Sequence, residues 1–226
     1  MRKLAAEFVG TFILVFAGTG AIVINDASAG MVSHVGIALT FGLVVLAMIY
    51  AVGDVSGAHL NPAVTVGFFA ARRLDAGWVV PYIASQCAGA VFASLVLRLI
   101  FPGHPTLGRT VPAGDALQSF VLEIILTFIL MFVILSVSTG PKEKGIMAGI
   151  AVGAVIALEA LFAGPISGAS MNPGRSLAPA LISLRLDYLW IYLTAPVLGA
   201  LASVATCRCV QEQGCCCRLA QKKPAS

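Results

Sequence analysis

The sequence has few charged residues. Of its 226 residues only 11% are Asp, Glu, Lys or Arg, whereas 59% are hydrophobic. Because a soluble domain carries roughly 25% charged residues, a soluble chain with this composition would expose too much apolar surface to water. The composition also excludes intrinsic disorder, a collagen-like fibre and a disulfide-stapled secreted fold. With a mean hydropathy of +0.97, the class that remains is a polytopic membrane protein.

The chain also has little of what an enzyme or a metal site needs. It contains only 3 histidines, and its apolar runs hold neither a Ser-His-Asp set nor a His-rich group. An intramembrane enzyme requires a nucleophile with its base, or a metal. We therefore predict no catalytic residue, no metal site and no cofactor. Five of the 6 cysteines crowd near the C-terminus, a distribution that does not suggest a disulfide framework: Cys207, Cys209, Cys215, Cys216 and Cys217.

Six apolar runs are long enough, or nearly so, to cross a membrane, and since lipid offers the backbone no hydrogen-bond partner they must be helices. They lie at about 4–24, 34–52, 78–100, 118–138, 146–163 and 188–207. The first run could be mistaken for a signal peptide, but its length and the spans that follow argue against one. Two shorter apolar stretches, 60–70 and 172–182, open with Asn-Pro.

The basic residues predict the orientation. When the ends of the runs are assigned alternately to the two sides, ten of the 14 Lys and Arg residues fall on the side of the N-terminus. The positive-inside rule then places both termini in the cytoplasm. We expect the chain to lie in the cell membrane. The net charge of +4 does not indicate nucleic-acid binding, because the basic residues form no stripe. For the cysteine-rich tail, 208–226, three interpretations stay open: palmitoylation, binding of a soft ion, and cysteines without a role.

The chain repeats itself. Residues 7–12 resemble 123–128 at an offset of 116, and 56–62 resemble 167–173 at an offset of 111. Each half holds three spans and one Asn-Pro segment, and since three is odd the two repeats must be inverted. We predict an all-α membrane protein with six transmembrane helices and two re-entrant half-helices. It forms a single channel domain over 1–207, with repeats at about 1–100 and 118–207.

The Asn-Pro segments predict a pore. Asn is a good helix N-cap and Pro is favoured at the first helical position, so each segment starts a short helix. Inverted symmetry brings both starts to the membrane centre, with irregular backbone at 53–60 and 164–171 lining a watery cavity. Two helix N-termini there repel cations and protons, while the amides of Asn61 and Asn172 can donate to a neutral hydroxylated solute.

With these motifs the chain resembles the aquaporin, or major intrinsic protein, family over about residues 1–207. The resemblance rests on Glu7 and Glu123, on Ser-Gly-Ala-His-Leu-Asn-Pro-Ala at 56–63 and on Ser-Met-Asn-Pro-Gly-Arg-Ser at 170–176. It implies a homotetramer with one pore in each subunit. It implies a central constriction at Asn61, Pro62, Ala63, Asn172, Pro173 and Gly174. It also implies a selectivity filter at Phe41, Ala160, Ala169 and Arg175.

The filter residues imply a wide opening. Water-selective members of the family usually have His where this chain has Ala160, and two alanines leave more room. The stretch 161–180 resembles the nodulin-like intrinsic proteins and their bacterial relatives. That subgroup implies passage of glycerol and of metalloid hydroxides such as arsenous, boric or silicic acid, as well as water. The alternatives are a strictly water-selective aquaporin and an ion-coupled secondary transporter, which also uses inverted repeats and broken helices.

Three carboxylates lie inside apolar runs. Glu7 and Glu123 occupy matching repeat positions, and we predict that they accept hydrogen bonds from the re-entrant loops, with proton relay as the alternative. Glu159 has no repeat partner, and the sequence leaves open whether it supports the second loop or reaches the pore wall. Gly174 stands where the family usually has Ala, so we expect a slightly looser centre.

Glycines in the fifth run predict close helix packing. Gly145, Gly149 and Gly153 stand four residues apart, a spacing that lets two helices approach closely. Gly36 and Gly42 of the second run are expected to face them.

Overall fold

The computed structural model describes residues 1–138 and 146–210, and its regular structure in those ranges is entirely helical. Six of the helices described there are long and apolar enough to cross a membrane, which confirms the six predicted spans. The helices described are α1 (Arg2–Ala27), α2 (Ser33–Ser56), α3 (Pro62–Ala70), α4 (Ala76–Ile100), α5 (Ala116–Val137), α6 (Ala148–Ser167), α7 (Pro173–Ile182) and α8 (Leu189–Val210). The tail cysteines at 215–217 lie outside the described residues.

Two spanning helices are longer than predicted. α2 and α6 continue to Ser56 and Ser167, so the expectation of irregular backbone from 53 and from 164 was wrong for the first four residues of each stretch. The physical reason is that the hydroxyl groups of Ser56 and Ser167 donate to Glu7 and Glu123, which keeps the last turn of each helix buried, and that a glycine follows each serine. Gly57 and Gly168 adopt φ of 90° and 83°, in the left-handed region that glycine enters without steric cost. The irregular backbone is therefore confined to 57–61 and 168–172.

The two halves pack in matching ways and interlock. α1 packs against α2 and α4, as α5 packs against α6 and α8. The short helices cross over: α3 packs against α8, and α7 packs against α4. Each half-helix is thus held by a long helix of the other half. Apolar side chains from both halves form the main buried cluster around the loops, among them Leu14, Val45, Leu60, Leu130, Val152 and Met171.

Two glycines form the crossing of α2 and α6. A Cβ atom on Gly42 would lie 2.5 Å from the carbonyl oxygen of Gly153, and one on Gly153 would lie 2.6 Å from that of Gly42. Real Cβ atoms do not come so close, so both positions require glycine. The expected contact of Gly36 is not found, because its nearest neighbours are Val32 and Ser33 of its own turn. Gly145 lies outside the described residues.

Candidate functional site

The two half-helices begin in the same way. Asn61 caps α3, its Oδ1 accepting the backbone N–H of Ala63 at 2.8 Å. Asn172 caps α7, its Oδ1 accepting the N–H groups of Gly174 at 3.0 Å and Arg175 at 3.2 Å. Pro62 and Pro173 follow at the first helical position, where no N–H is needed. The partial positive charge of each helix start therefore lies beside an asparagine amide.

The asparagines also bind each half to the other. Asn61 Nδ2 donates to the carbonyl oxygen of Met171 at 2.7 Å, and Asn172 Nδ2 donates to that of Leu60 at 2.9 Å. Both asparagines line a cavity. Since a side-chain amide carries two N–H groups, one N–H group of each asparagine is not used in these hydrogen bonds. The sequence indicated amide donors but gave no sign that half of them hold the two loops together.

In the loop before each asparagine, two non-glycine residues, separated by one residue, adopt the left-handed backbone conformation. φ is 47° at Ala58 and 52° at Leu60, and it is 40° at Ala169 and 53° at Met171. A non-glycine residue held in such a conformation costs of order 1–3 kcal/mol. The two loops therefore keep this shape only because other groups hold their backbone.

Glu7 holds the first loop. Its Oε1 accepts Ser56 Oγ at 2.7 Å and the backbone N–H of His59 at 2.9 Å. Its Oε2 accepts the N–H of Leu60 and Gln86 Nε2, each at 2.8 Å. The carboxylate is fully buried and its four donors come from three parts of the chain.

Glu123 makes the corresponding bonds to the second loop. Its Oε1 accepts Ser167 Oγ and the N–H of Ser170, and its Oε2 accepts the N–H of Met171, each at 2.8 Å. This carboxylate is also fully buried. It has three donors within the described residues, where Glu7 has four.

A cavity of about 110 Å³ passes between the two loops. Phe41 and Arg175 line it at one end, here called the filter end, and Ser138 and Ala148 line it at the other. Most of its wall is apolar, and a few polar groups interrupt that wall: His59, Asn61, Ser138, Ser170, Asn172 and Arg175. A narrow apolar passage with few polar groups suits a small neutral solute rather than a hydrated ion.

The structure brings the four predicted filter residues to the cavity. Phe41, Ala160, Ala169 and Arg175 all line it. Arg175 is only 2% exposed, and its Nη1 donates to the carbonyl oxygen of Gly108 at 2.8 Å. Its guanidinium carbon lies 5.2 Å from the centroid of the Phe41 ring, a cation–π contact. A positive group and an aromatic ring thus share this end with two methyl side chains.

The connection between α4 and α5 also shapes the filter end, which the sequence did not reveal. Gly108 supplies the carbonyl that orients Arg175, and its φ of 73° places it in the left-handed region. Thr110 Oγ1 donates to Ser176 Oγ at 2.8 Å, which ties the same connection to α7. The segment carries no motif, so only its three-dimensional position identifies it.

Two tyrosines missed by the sequence reasoning secure the ends of α2 and α6. Tyr82 Oη donates to the carbonyl oxygen of Ser56 at 2.8 Å, and Tyr192 Oη donates to that of Ser167 at 2.7 Å. They are 110 residues apart, the offset that relates Gly89 to Gly199. The repeat could therefore have identified them.

His59 takes part in the structure of the first loop while lining the cavity. Its Nδ1 lies 3.1 Å from Thr65 Oγ1, and its ring stacks on Phe68 with centroids 4.5 Å apart. Gln86 Nε2 also donates to Thr65 Oγ1 at 2.9 Å. The imidazole is thus fixed by neighbours on α3 and α4.

Glu159 is placed differently from the other two carboxylates. It is 1% exposed on α6, and neither carboxylate oxygen has a hydrogen-bond partner in residues 1–138 and 146–210. It does not belong to the lining of the cavity, although the next residue, Ala160, does. The ionisable group that acts on it electrostatically is Glu123.

Gly174 leaves room for a methyl group. A Cβ atom there would lie 3.4 Å from both Asn172 Oδ1 and Pro62 Cδ, an ordinary contact distance. The half-helix starts therefore meet without the methyl that an Ala-containing motif would place between them.

No group of three His, Cys, Asp or Glu side chains in the described part of the chain could hold a metal ion. Glu7 and Glu123 instead hold the two loops, and the asparagines cap the half-helices and line the cavity. Six spans around a passage between two facing half-helices are the architecture of a membrane channel.

Comparisons with known proteins identify the kind of channel. The family model described as major intrinsic protein matches residues 1–206. Aquaporin NIP1-1 of Oryza sativa subsp. japonica is 50% identical over 203 residues, covering 89% of this chain and 72% of that protein. Nodulin-26 of Glycine max is 47% identical over 203 residues, covering 89% and 75%. The X-ray structure of the aquaglyceroporin from Plasmodium falciparum aligns with a TM-score of 0.83 at 28% identity, over 92% of this chain and 96% of that one.

The chain therefore belongs to the major intrinsic protein family of aquaporin channels. Its likeness to nodulin-26 and to other aquaporins of the NIP group confirms the resemblance inferred from residues 161–180.

Proposed function

We propose that the chain conducts water and small uncharged solutes passively, with glycerol as the first solute to test. The observation that carries the proposal is the composition of the filter end, where Ala160 and Ala169 share the cavity wall with Phe41 and Arg175. Two methyl groups leave space for a three-carbon polyol. The same opening suits metalloid hydroxides such as arsenous, boric and silicic acid, which are also small, neutral and hydroxylated.

The passage offers a polyol both kinds of contact that it needs. The carbon chain of glycerol lies against the Phe41 ring and the alanine methyl groups, while its hydroxyl groups accept hydrogen bonds from Arg175. At the centre, the remaining N–H groups of Asn61 and Asn172 serve the same purpose. Because few polar groups line the wall, a solute sheds its water at modest cost only if it is uncharged.

Cations and protons are excluded by positive charge at two levels. The buried guanidinium of Arg175 lies at the filter end, and the starts of α3 and α7 meet at the centre. Each helix start carries partial positive charge. An ion-coupled transporter would instead need a coupling-ion site at the midplane, and Glu7 and Glu123 are engaged by loop donors there.

Reconstituted vesicles test the filter. We expect proteoliposomes to take up glycerol faster than empty liposomes, and Ala160→His to lower the glycerol rate about tenfold or more while water flow persists, because a larger side chain excludes the larger solute. Stopped-flow light scattering measures both rates on the same vesicles. Ala160→Ser, which adds a single oxygen at the same position, is the matched control and should keep glycerol flow.

Fast water flow without glycerol uptake in the unmodified protein would contradict the wide filter and leave a water-selective aquaporin. A rate that saturates and depends on an ion gradient would instead indicate a secondary transporter.

We further propose that the subunits form a homotetramer in the cell membrane, that residues 1–207 are one channel domain and that both termini are cytoplasmic. Support comes from membership of the family and from the distribution of basic residues. A mass measurement of the detergent-solubilised complex tests the subunit number.

A further inference from the structure

The two inverted repeats differ in the hydrogen bonds that their loop carboxylates accept. Glu7 Oε2 accepts Gln86 Nε2 at 2.8 Å in addition to a loop N–H. At the offset of 110 that relates the tyrosines of α4 and α8, the counterpart of Gln86 is Pro196, which lies inside α8 and has no donor. Glu123 Oε2 therefore accepts only the N–H of Met171 within the described residues. The carboxylate of the second loop lacks the donor that completes the first.

Comparison of the two repeats also shows that the carboxyl group of Glu159 has no counterpart in the first repeat. The crossing glycines, Gly42 and Gly153, are related by an offset of 111, and at that offset the counterpart of Glu159 is Met48. The second repeat thus has a buried carboxyl group where the first has a thioether. That group neighbours Glu123, the carboxylate with the missing donor.

Two buried neighbouring carboxyl groups cannot both be ionised without a large cost. Glu123 accepts three hydrogen bonds from N–H and O–H donors, and such donors stabilise the charged form. Glu159 accepts none within residues 1–138 and 146–210. An ion buried without donors is far more expensive than a neutral acid, so the geometry assigns the charge to Glu123 and a proton to Glu159.

We propose that Glu159 is a protonated positioning residue, whose O–H donates to Glu123 through one water molecule and so supplies the hydrogen bond that Gln86 supplies in the first repeat. It acts on the pore through Glu123, which holds Ser170 and Met171. Those residues lie between Ala169 of the filter and Asn172 of the centre. Ionisation of Glu159 would set two negative charges side by side and displace the second loop.

Other titratable or charged groups surround this pair. Arg175 of α7 and Tyr192 of α8 interact electrostatically with Glu123. From α2, His34 Nε2 lies 2.8 Å from the carbonyl oxygen of Leu161, two residues after Glu159. These groups are common to every variant considered below, so their titration cancels in the comparison.

Infrared spectroscopy detects the protonation state of the Glu159 carboxyl group directly. We expect purified protein in lipid to show the carbonyl stretch of a protonated carboxylic acid at neutral pH. The band should vanish in Glu159→Gln and persist in Glu123→Gln. If Glu159→Gln leaves it intact while Glu123→Gln removes it, the assignment of the proton is wrong. If the unmodified protein shows no such band, Glu159 is ionised and the proposal fails. The reading does not depend on which solute the channel conducts.

The pH dependence of conduction tests the positioning role, and this part rests on the proposed function. Glycerol uptake by the unmodified protein should fall at alkaline pH, as Glu159 loses its proton. Glu159→Gln keeps a donor and cannot ionise, so its uptake should stay constant across the same range. Glu159→Met copies the first repeat and removes donor and charge, so its uptake should be about two- to tenfold lower at every pH, the range that corresponds to one hydrogen bond.

A merely structural role gives a different result. Equal pH profiles for the unmodified protein and Glu159→Gln would overturn the positioning role, as would equal uptake by the Gln and Met variants. If glycerol is not conducted at all, water flow supplies the same three profiles. Should one of the two Glu159 variants fail to form a monodisperse complex, loss or persistence of the carboxylic acid band in the other still decides whether Glu159 carries the proton.

Discussion

At the scale of single residues, a glycine on α1 sets the position of the aromatic filter side chain. A Cβ atom on Gly18 would lie 2.6 Å from Cδ1 and Cζ of Phe41. The ring therefore packs against the backbone of Gly18, and the guanidinium carbon of Arg175 lies 5.2 Å from its centroid. The position of the Phe41 ring at the filter end therefore depends on a residue that is not part of the cavity lining.

We expect Gly18→Ala to push the Phe41 ring toward the cavity and to slow glycerol uptake more than water flow. Overpacking of this kind costs about 1–3 kcal/mol. Gly20→Ala is the matched control on the same helix, since its Cβ atom would meet Leu97 Cδ2 at 3.4 Å, an ordinary contact. Equal uptake by both variants in the stopped-flow assay would show that Phe41 does not limit the opening.

At Gly174 an added methyl group is expected to stabilise the channel rather than destabilise it. Its Cβ atom would contact Pro62 and Asn172 at ordinary distances, and an alanine in a helix is up to about 1 kcal/mol more stable than a glycine. We expect Gly174→Ala to raise the thermal unfolding temperature of the detergent-solubilised channel while conduction persists. An unchanged or lowered unfolding temperature, with unchanged conduction, would refute the looser centre.

The sequence predicted those residues of the candidate site whose type and position in a motif indicate their role. Asn61 and Asn172 combine a cap, a proline and a repeat, so their positions follow from local chemistry. Gly108 could not be found, because a backbone carbonyl has no sequence signature. The environment of Glu159 could not be found either, since a carboxyl group in an apolar run is equally compatible with a loop, a pore wall and a neighbouring acid.

At the scale of helices, backbone contact holds α2 against α6. Gly42 and Gly153 each face the carbonyl oxygen of the other, so neither helix can move without the other. Gly89 and Gly199 repeat this arrangement, facing the backbone of α1 at Phe8 and of α5 at Ile124. The sequence predicted such packing of the fifth span against Gly42, but it did not predict the contacts of Gly89 and Gly199.

We expect Gly42→Ala to separate α2 from α6 and to destabilise the channel by about 1–3 kcal/mol. Gly53→Ala is the control, because its Cβ atom would find its nearest neighbour, Ile49 Cγ2, only at 4.0 Å. Thermal unfolding followed by loss of the monodisperse peak on gel filtration measures both. Similar unfolding temperatures for the two variants would show that α2 and α6 accommodate a methyl group at position 42 without separating, which would contradict the prediction.

The ends of the helices were harder to predict than their existence. Long apolar runs identify spans because a bilayer requires about 20 such residues. The last turn of α2, by contrast, contains Asp54 and Ser56, which look like loop residues, yet Ser56 Oγ donates to Glu7 and thereby stays buried in a helix. Tertiary hydrogen bonds decided the boundary.

At the scale of the whole molecule, six spans place both termini on one side of the membrane. The distribution of basic residues predicts that this side is the cytoplasm. We expect a reporter that is active only in the cytoplasm to work when it is fused before Met1 or after Ser226. The control is a fusion in the connection between α4 and α5, at Gly103, which should be silent. Activity at only one terminus would contradict the even number of spans.

The exchange of hydrogen bonds between the asparagines has a consequence for biosynthesis. Asn61 needs the carbonyl of Met171, and the carbonyl of Leu60 needs Asn172. A ribosome delivers these partners more than a hundred residues apart, so the first loop enters the bilayer before its partner has been translated. A nascent chain that stopped after α4 would carry polar backbone groups that lipid cannot satisfy. The pore is therefore completed late in synthesis, and truncated chains should be substrates for membrane quality control.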